Sequence, residues 1–357
     1  DYEGLLLDIC NKRLEKVIKN EEFKNKFTIK DLLGEYKVED EIDYLVDSQP
    51  EYIKTIRKSI KEEICEIVDS EKDRESFSIL YEPDDILTLY LNLVLLRRRN
   101  KSTPLVPLEY KKYQNGNSPK YAQWLHTNKN AIVYLIAKEN RKRKQYYGFS
   151  TFKMLSSGIT RYFLELCENA LRDALRNGFS YENPRQLSNK EQTSAARYVS
   201  RYRLNDIDTY TPYSSRLRRF VVLMGNIFNR LHLDPNISEP ERNHFQTDFD
   251  NLDEGTKSFL QSAELWSVFQ KRAETKDKDN SIDSDEYEYH LNHIYSPYFE
   301  ISMRKQRKLK IKSEDLKTLI FAENEIAEKT ANHLTSRYVN SNTKYGKQLN
   351  LSEFWKI

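Results

Sequence analysis

LSSGITRYFLELCENALRDALRNG, residues 155–178, decides how the rest of the chain is read. Ile159, Phe163, Leu166, Ala170 and Ala174 recur at helical spacing, so the segment is an amphipathic helix. Ser156 or Ser157 can cap its first turn, and Gly178 supplies the left-handed residue that stops it. Arg161 is out of place. It puts a cation in the first turn, where the helix dipole is already positive, at a cost of about 0.3–1 kcal/mol unless an anion is near. Two readings follow: the arginine snorkels back along its own helix in solvent, or it faces an anion brought from elsewhere.

With 357 residues the chain is long enough for two or three domains with their own cores. Hydrophobic residues at 38% and charged residues at 32% describe a globular protein with a charge-rich surface. The net charge of +3, from 58 basic and 55 acidic residues, is too small to indicate nucleic-acid binding, so that case rests on local clusters. Cys10, Cys65 and Cys167 lie far apart on apolar helical faces, which fits free thiols in a reducing compartment and hence a cytoplasmic protein. No apolar run approaches the roughly 18 residues of a membrane span. The start, DYEGLLLDICNKRL, lacks the basic region and cleavage site of a signal peptide. It also lacks an initiator Met, so the sequence is expected to begin inside a longer protein.

Away from the opening segment the chain reads as mainly α. Leu6, Cys10, Leu14, Val17 and Ile18 make one helical stripe, and Ile53, Ile56, Ile60, Ile64 and Ile67 make another. DDILTLYLNLVLLRRR, 84–99, is apolar nearly all round and belongs at the centre of a bundle. KSTPLVPLEYKKYQNGNSPKY, 101–121, reads as a loop because of its three prolines and its Asn115-Gly116 pair. AIVYLIAKEN, 131–140, fits either a strand or a helix. Helices at about 190–203, 214–231 and 254–265 precede two strand candidates, WSVFQKRAETK from 266 and YEYHLNHIYSPYFEIS from 287. Between these strands the acidic stretch 273–288 reads as a mobile tip. Three helices followed by two strands is the order of a winged helix. The last 45 residues are helix-prone and then polar.

Several chemistries are set aside. The six histidines and three cysteines show no paired ligand spacing, so no metal is expected. No G-x-S-x-G elbow occurs. The nine glycines never form G-x-x-x-x-G-K-[ST], so this chain alone should not hydrolyse nucleotides. Two basic clusters are candidate DNA contacts: Arg216, Arg218 and Arg219 at a helix start, and Arg304, Lys305, Arg307 and Lys308 after the expected wing. Both are equally readable as solvated basic faces, as KENRKRKQ at 138–145 illustrates. Tyr287, Tyr289, Tyr295 and Tyr298 can stack on bases or simply line a half-buried sheet.

YYGFSTFKMLSSGITRYFLELCENAL, 146–171, resembles the final lid helix of AAA+ ATPases of the origin-recognition and cell-division-control initiator type, bacterial ORC-like members in particular. Gly158 and Arg161 match that family's Gly-x-x-Arg sensor 2 element, whose arginine faces the γ-phosphate of a bound nucleotide. EQTSAARYVSRYRL (191–204), residues 238–245 and residues 289–302 resemble the winged-helix part of the same proteins. The likeness is good over about 110–310 and weak over the first 100 residues. It implies a helical lid-like domain at 1–185, a winged helix at 186–312 and a C-terminal helical extension at 313–357. The Walker A lysine and Walker B acids are absent, so the resemblance implies an AAA+ core cut away or supplied separately, with ATP and Mg2+ bound in the full-length protein. The implied function is an ATP-gated switch controlling contact with DNA, a protein partner or further copies of itself, in anti-phage defence or a mobile element. The alternative is a non-catalytic scaffold that touches neither nucleotide nor DNA. No membrane association is expected.

Overall fold

The structure, a computed structural model, describes residues 1–68, 71–98, 102–234, 242–273, 287–304 and 307–338. It is mainly helical with one small four-stranded sheet, the class read from the sequence. The chain forms two compact units, and these cut across the linear division 1–185, 186–312 and 313–357. The first comprises Asp1–Lys37, Gln145–Asn229 and Arg242–His333, and the second Val38–Lys144, Arg230–Glu241 and Leu334–Ile357. No helix of the described residues is long and apolar enough to cross a membrane. Most of the acidic stretch between the strand candidates, Lys305 and the polar tail from 339 lie outside the described residues.

The first unit opens with α1 (Tyr2–Val17), capped by Asp1 and burying Leu6, Cys10 and Leu14. Next comes α2 (Ile29–Leu33), started by a Thr28/Asp31 capping box. The chain then builds the second unit from α3 (Val38–Leu45), α4 (Gln49–Ile67), α5 (Glu71–Phe77), α6 (Ile86–Arg97), α7 (Val106–Gln114) and α8 (Pro119–Glu139). The largely apolar α6 buries ten residues, as expected of a central helix. Its one amide, Asn92, is fully buried and satisfied: it donates to Leu80 O at 2.9 Å and accepts from Tyr121 Oη at 2.6 Å.

One reading is corrected here and one left open is settled. Residues 101–121 are not a loop: Pro107 sits in the first turn of α7, where its missing N–H costs nothing, and only the Asn115-Gly116 turn interrupts. AIVYLIAKEN is helical. The start signal lies well upstream, where Ser118 accepts from Tyr121 N and Pro119 opens α8, so the β-branched run merely continues a helix already under way.

The chain returns to the first unit with α9 (Phe149–Leu155), α10 (Thr160–Arg176), α11 (Asn189–Asp206) and α12 (Ser214–His232), the last of which ends in the second unit from Arg230 on. Gly178 stops α10 as read from the sequence, at φ +82° in a Schellman arrangement: Phe179 N bonds Ala174 O at 2.9 Å and Gly178 N bonds Leu175 O at 3.3 Å. After α12 come β1 (His244–Thr247), α13 (Glu254–Leu265), β2 (Phe269–Ala273), β3 (Tyr287–Leu291), α14 (Ser296–Phe299), β4 (Lys308–Lys310), α15 (Ser313–Phe321) and α16 (Asn324–Ser336). The sheet order is β2-β3-β1-β4, with β1 and β2 antiparallel to β3 and β4 parallel to β1. Period-two alternation sends Phe245, Phe269, Tyr289 and Leu309 into the core, where Phe245 stacks on Tyr289 at 5.2 Å and meets Phe220 of α12 edge-on at 6.0 Å. The opposite face carries His244, Gln246, Glu288 and His290, all buried as well.

Candidate functional site

The turn between α9 and α10 carries the feature that made the sequence unusual. Ser156 and Ser157 do not cap α10. Its N-cap is Ile159, which offers no side-chain acceptor. The serines brace the turn instead. Ser156, fully buried, donates from Oγ to Lys153 O at 2.7 Å and takes the Tyr2 hydroxyl of α1 at 2.8 Å. Ser157 O accepts from Gln270 Nε2 of β2 at 2.9 Å, and Ser157 Oγ accepts from His293 N at 3.0 Å. His293 closes the loop with Nδ1 on Met154 O at 3.2 Å, and burial, helped by the nearby Arg272 cation, pushes its pKa down. Ser157 at φ +50° and Gly158 at φ +81° are consecutive left-handed residues, the second in the region glycine enters freely. The turn is therefore fixed before α10 begins by one hydrogen bond from β2 and two from His293, just beyond β3.

Arg161 leaves that turn with its side chain 72% exposed, and its Nε donates to Glu165 Oε1 at 3.0 Å. Glu165 is already committed. Arg203 of α11, only 2% exposed, grips both carboxylate oxygens, with Nε at 2.9 Å from Oε2, and reaches Asp206 with Nη1 at 2.8 Å. The Arg203 guanidinium also lies over the rings of Tyr162 at 4.9 Å and Tyr202 at 5.4 Å. One carboxylate thus serves a buried cation and an exposed one. The buried pair holds α10 to α11. The Arg161 contact is a surface pair at i,i+4, worth about 0.3–0.5 kcal/mol, which a stronger anion can displace. Of the two readings of Arg161, this conformation is the one lying along its own helix.

The expected DNA contacts separate into two groups. The arginines at the α12 start are tied within the unit: Arg219 donates to Ile320 O at 2.6 Å and Asn324 Oδ1 at 3.0 Å, satisfying the C-terminal end of α15. Arg218 pairs with Asn205 at 3.2 Å and Asp208 at 3.5 Å, and Arg216 lies over the Phe321 ring at 5.1 Å. Arg307 is exposed, Arg304 and Lys308 are half-buried at β4, and Lys305 is outside the described residues. Of the tyrosines, Tyr289 and Tyr295 are buried core residues rather than stacking platforms. The helix preceding the β2–β3 hairpin, α13, exposes Glu254, Ser258, Gln261, Glu264 and Leu265. Its lysine, Lys257, pairs with Glu254 at 3.3 Å.

Two groupings were not visible in the sequence. Cys10 and Cys167 share a thiol–thiol hydrogen bond between α1 and α10 that lowers the pKa of Cys10, while burial raises that of Cys167. The β1/β3 register sets His244 opposite His290, with Glu288 on the same face, although the sequence offered His290 no companion but His293.

A sequence model of the family described as ORC-CDC6-like matches residues 1–311. Comparison with curated proteins and with solved structures gives no match.

Proposed function

The chain belongs to the ORC-CDC6-like family and is thus an ORC/CDC6-type, AAA+-related protein, and on that premise we propose that residues 146–178 act as a sensor 2 lid element, with Arg161 reading the γ-phosphate of an ATP–Mg2+ held by an AAA+ core outside these residues. The observation that supports it best is the brace on Ser157. Gln270 and His293 tie the start of the Arg161 helix to the sheet, so a pull on Arg161 is passed to the β2–β3 hairpin rather than absorbed in a loop. Nucleotide phosphate competes with Glu165 for the exposed guanidinium, and the contact given up is the weak one. Gly158, with no neighbour near its missing Cβ, leaves room for the turn to approach a phosphate. The output of the switch is contact with DNA through Arg304, Lys305, Arg307 and Lys308, and the cytoplasmic setting is anti-phage defence or a mobile element.

A second reading is favoured by α13. A helix in that position with acidic and apolar exposed residues is poorly suited to phosphate contact and suits a protein surface, which is the scaffold alternative.

The test uses the full-length protein together with its core. Arg161→Ala should abolish ATP-dependent closure or hydrolysis, whereas Gln270→Ala should keep hydrolysis and lose the nucleotide dependence of DNA or partner binding. Unchanged behaviour of both variants refutes the switch. Salt-titrated DNA binding then separates the two outputs: a steep slope that flattens in Arg304→Ala/Arg307→Ala supports DNA contact, and a flat slope in the unaltered protein supports the scaffold.

A further inference from the structure

We propose that His244, Glu288 and His290 form a binding site for one divalent transition-metal ion of the Zn2+ type, clamping β1 to β3. The inference is independent of the sensor 2 reading.

The three residues come from two strands. His244 on β1 stands directly opposite His290 on β3, and Glu288, two residues before His290, shares that face of the sheet. All three are buried, at 1%, 4% and 2% exposure for His244, Glu288 and His290. One ligand atom from each lies within 4.8 Å of the others. In tetrahedral coordination with bonds of about 2.0–2.1 Å, neighbouring ligand atoms are about 3.4 Å apart. The set therefore has to contract by up to about 1.4 Å. The imidazoles stack at 4.3 Å and 7°, so the rings have to turn about χ2, chiefly His290, whose ring Asn243 does not hold.

A second observation concerns the tautomer. Asn243 Nδ2 donates to Ser302 O at 2.9 Å and Arg304 O at 2.8 Å, which fixes its amide so that Oδ1 faces His244 Nδ1 at 3.1 Å. An amide oxygen accepts only, so Nδ1 carries a proton, and in the neutral ring Nε2 then carries the lone pair. That is the outer-shell arrangement that orients a metal-binding histidine. On the other side, His290 Nε2 lies 3.4 Å from Glu288 Oε2, and a metal would take the place of the proton between them.

The charge around the cluster selects the ion. Arg272 on β2 is in register with Glu288, and Lys308 on β4 with His244, so among the described strand residues of this face Glu288 is the one carboxylate and two cations flank the cluster. Mg2+ and Ca2+, which need several oxygen ligands, are poorly served. Two neutral imidazoles and one carboxylate suit Zn2+ or Co2+, with a fourth position for water.

The experiment uses the full chain, stripped with EDTA and titrated with Co2+ while its visible ligand-field spectrum is recorded. One equivalent should bind, Zn2+ should displace it, and the thermal midpoint should rise with either ion. His244→Ala and His290→Ala should each weaken binding by at least about tenfold, and Asn243→Ala by about 10- to 100-fold. His126→Ala, in the second unit, should change nothing. If an alanine variant loses its circular dichroism, His290→Gln, which keeps a donor for Glu288, replaces it. A natively folded wild-type chain that takes up no Co2+, or one whose isotherm is unchanged in the folded His244 and His290 variants, overturns the proposal.

Discussion

The Glu165 carboxylate offers the sharpest contrast, because it serves one buried and one exposed arginine. Glu165→Gln keeps volume and shape but removes the charge, leaving Arg203, 2% exposed, with Asp206 as its remaining carboxylate. Stripping a buried cation of its partner costs about 3–5 kcal/mol. The surviving Asp206 contact at 2.8 Å and the rings of Tyr162 and Tyr202 offset part of that, which leaves about 2–3 kcal/mol of lost stability. Arg161→Ala removes the other contact. It loses an exposed pair worth about 0.3–0.5 kcal/mol and relieves a dipole penalty of about 0.3–1 kcal/mol, so its net effect is close to zero. Urea unfolding of the 357-residue chain, followed by far-ultraviolet circular dichroism, reads both values from midpoints at unchanged slope. The reasoning fails if Arg161→Ala costs more than about 1 kcal/mol, or if Glu165→Gln costs no more than Arg161→Ala.

Three other perturbations test separate parts of the structure. His232, 2% exposed and edge-on to Tyr134 at 4.6 Å, has its pKa pushed down to about 4 by burial. Its folded pKa lies below the unfolded value, so stability is intact above about pH 6.5 and falls as the pH drops towards 4, by up to about 3 kcal/mol. His232→Leu should flatten that limb of the stability–pH curve. Gly148→Ala places a Cβ 2.6 Å from Tyr36 N at φ +92°, a backbone clash expected to cost roughly 2 kcal/mol or more and visible as a lowered thermal midpoint. Arg219→Ala uncovers the Ile320 carbonyl at the end of α15 and should destabilise by about 1–2 kcal/mol, whereas a purely DNA-contacting arginine would leave the midpoint unchanged.

How far the sequence could be read depended on the distance between cause and effect. The stop of α10 was legible because Gly178, Ala174 and Leu175 settle the end within one turn, whereas its start lies past the serines, at Thr160. The buried stripe of α1 was legible at Leu6, Cys10, Leu14 and Ile18, but Val17, read as part of it, is exposed. Pro107 misled because proline breaks a helix interior but suits its first turn, and the difference depends on where the helix starts. β4 was hidden: Lys308, Leu309 and Lys310 read as a basic cluster, and only parallel pairing with a remote strand makes them a ladder. Arg219 looked available because its partners, Ile320 and Asn324, lie in later helices. His244 and His290 met only through strand register, which spacing along the chain cannot express. The misplacement of Arg161 was real, but its present partner is on its own helix.

The parallel pairing of β1 with β4 also sets an order of events during synthesis. Residues 244–247 leave the ribosome well before residues 308–310, so one edge of the nascent sheet is unpaired until the ribosome has passed Lys310. A chain ending before that point keeps the edge open and should be prone to strand-mediated self-association. Non-local closure of this kind is slow. The sheet that braces the Arg161 turn is therefore among the last parts of the first unit to become complete.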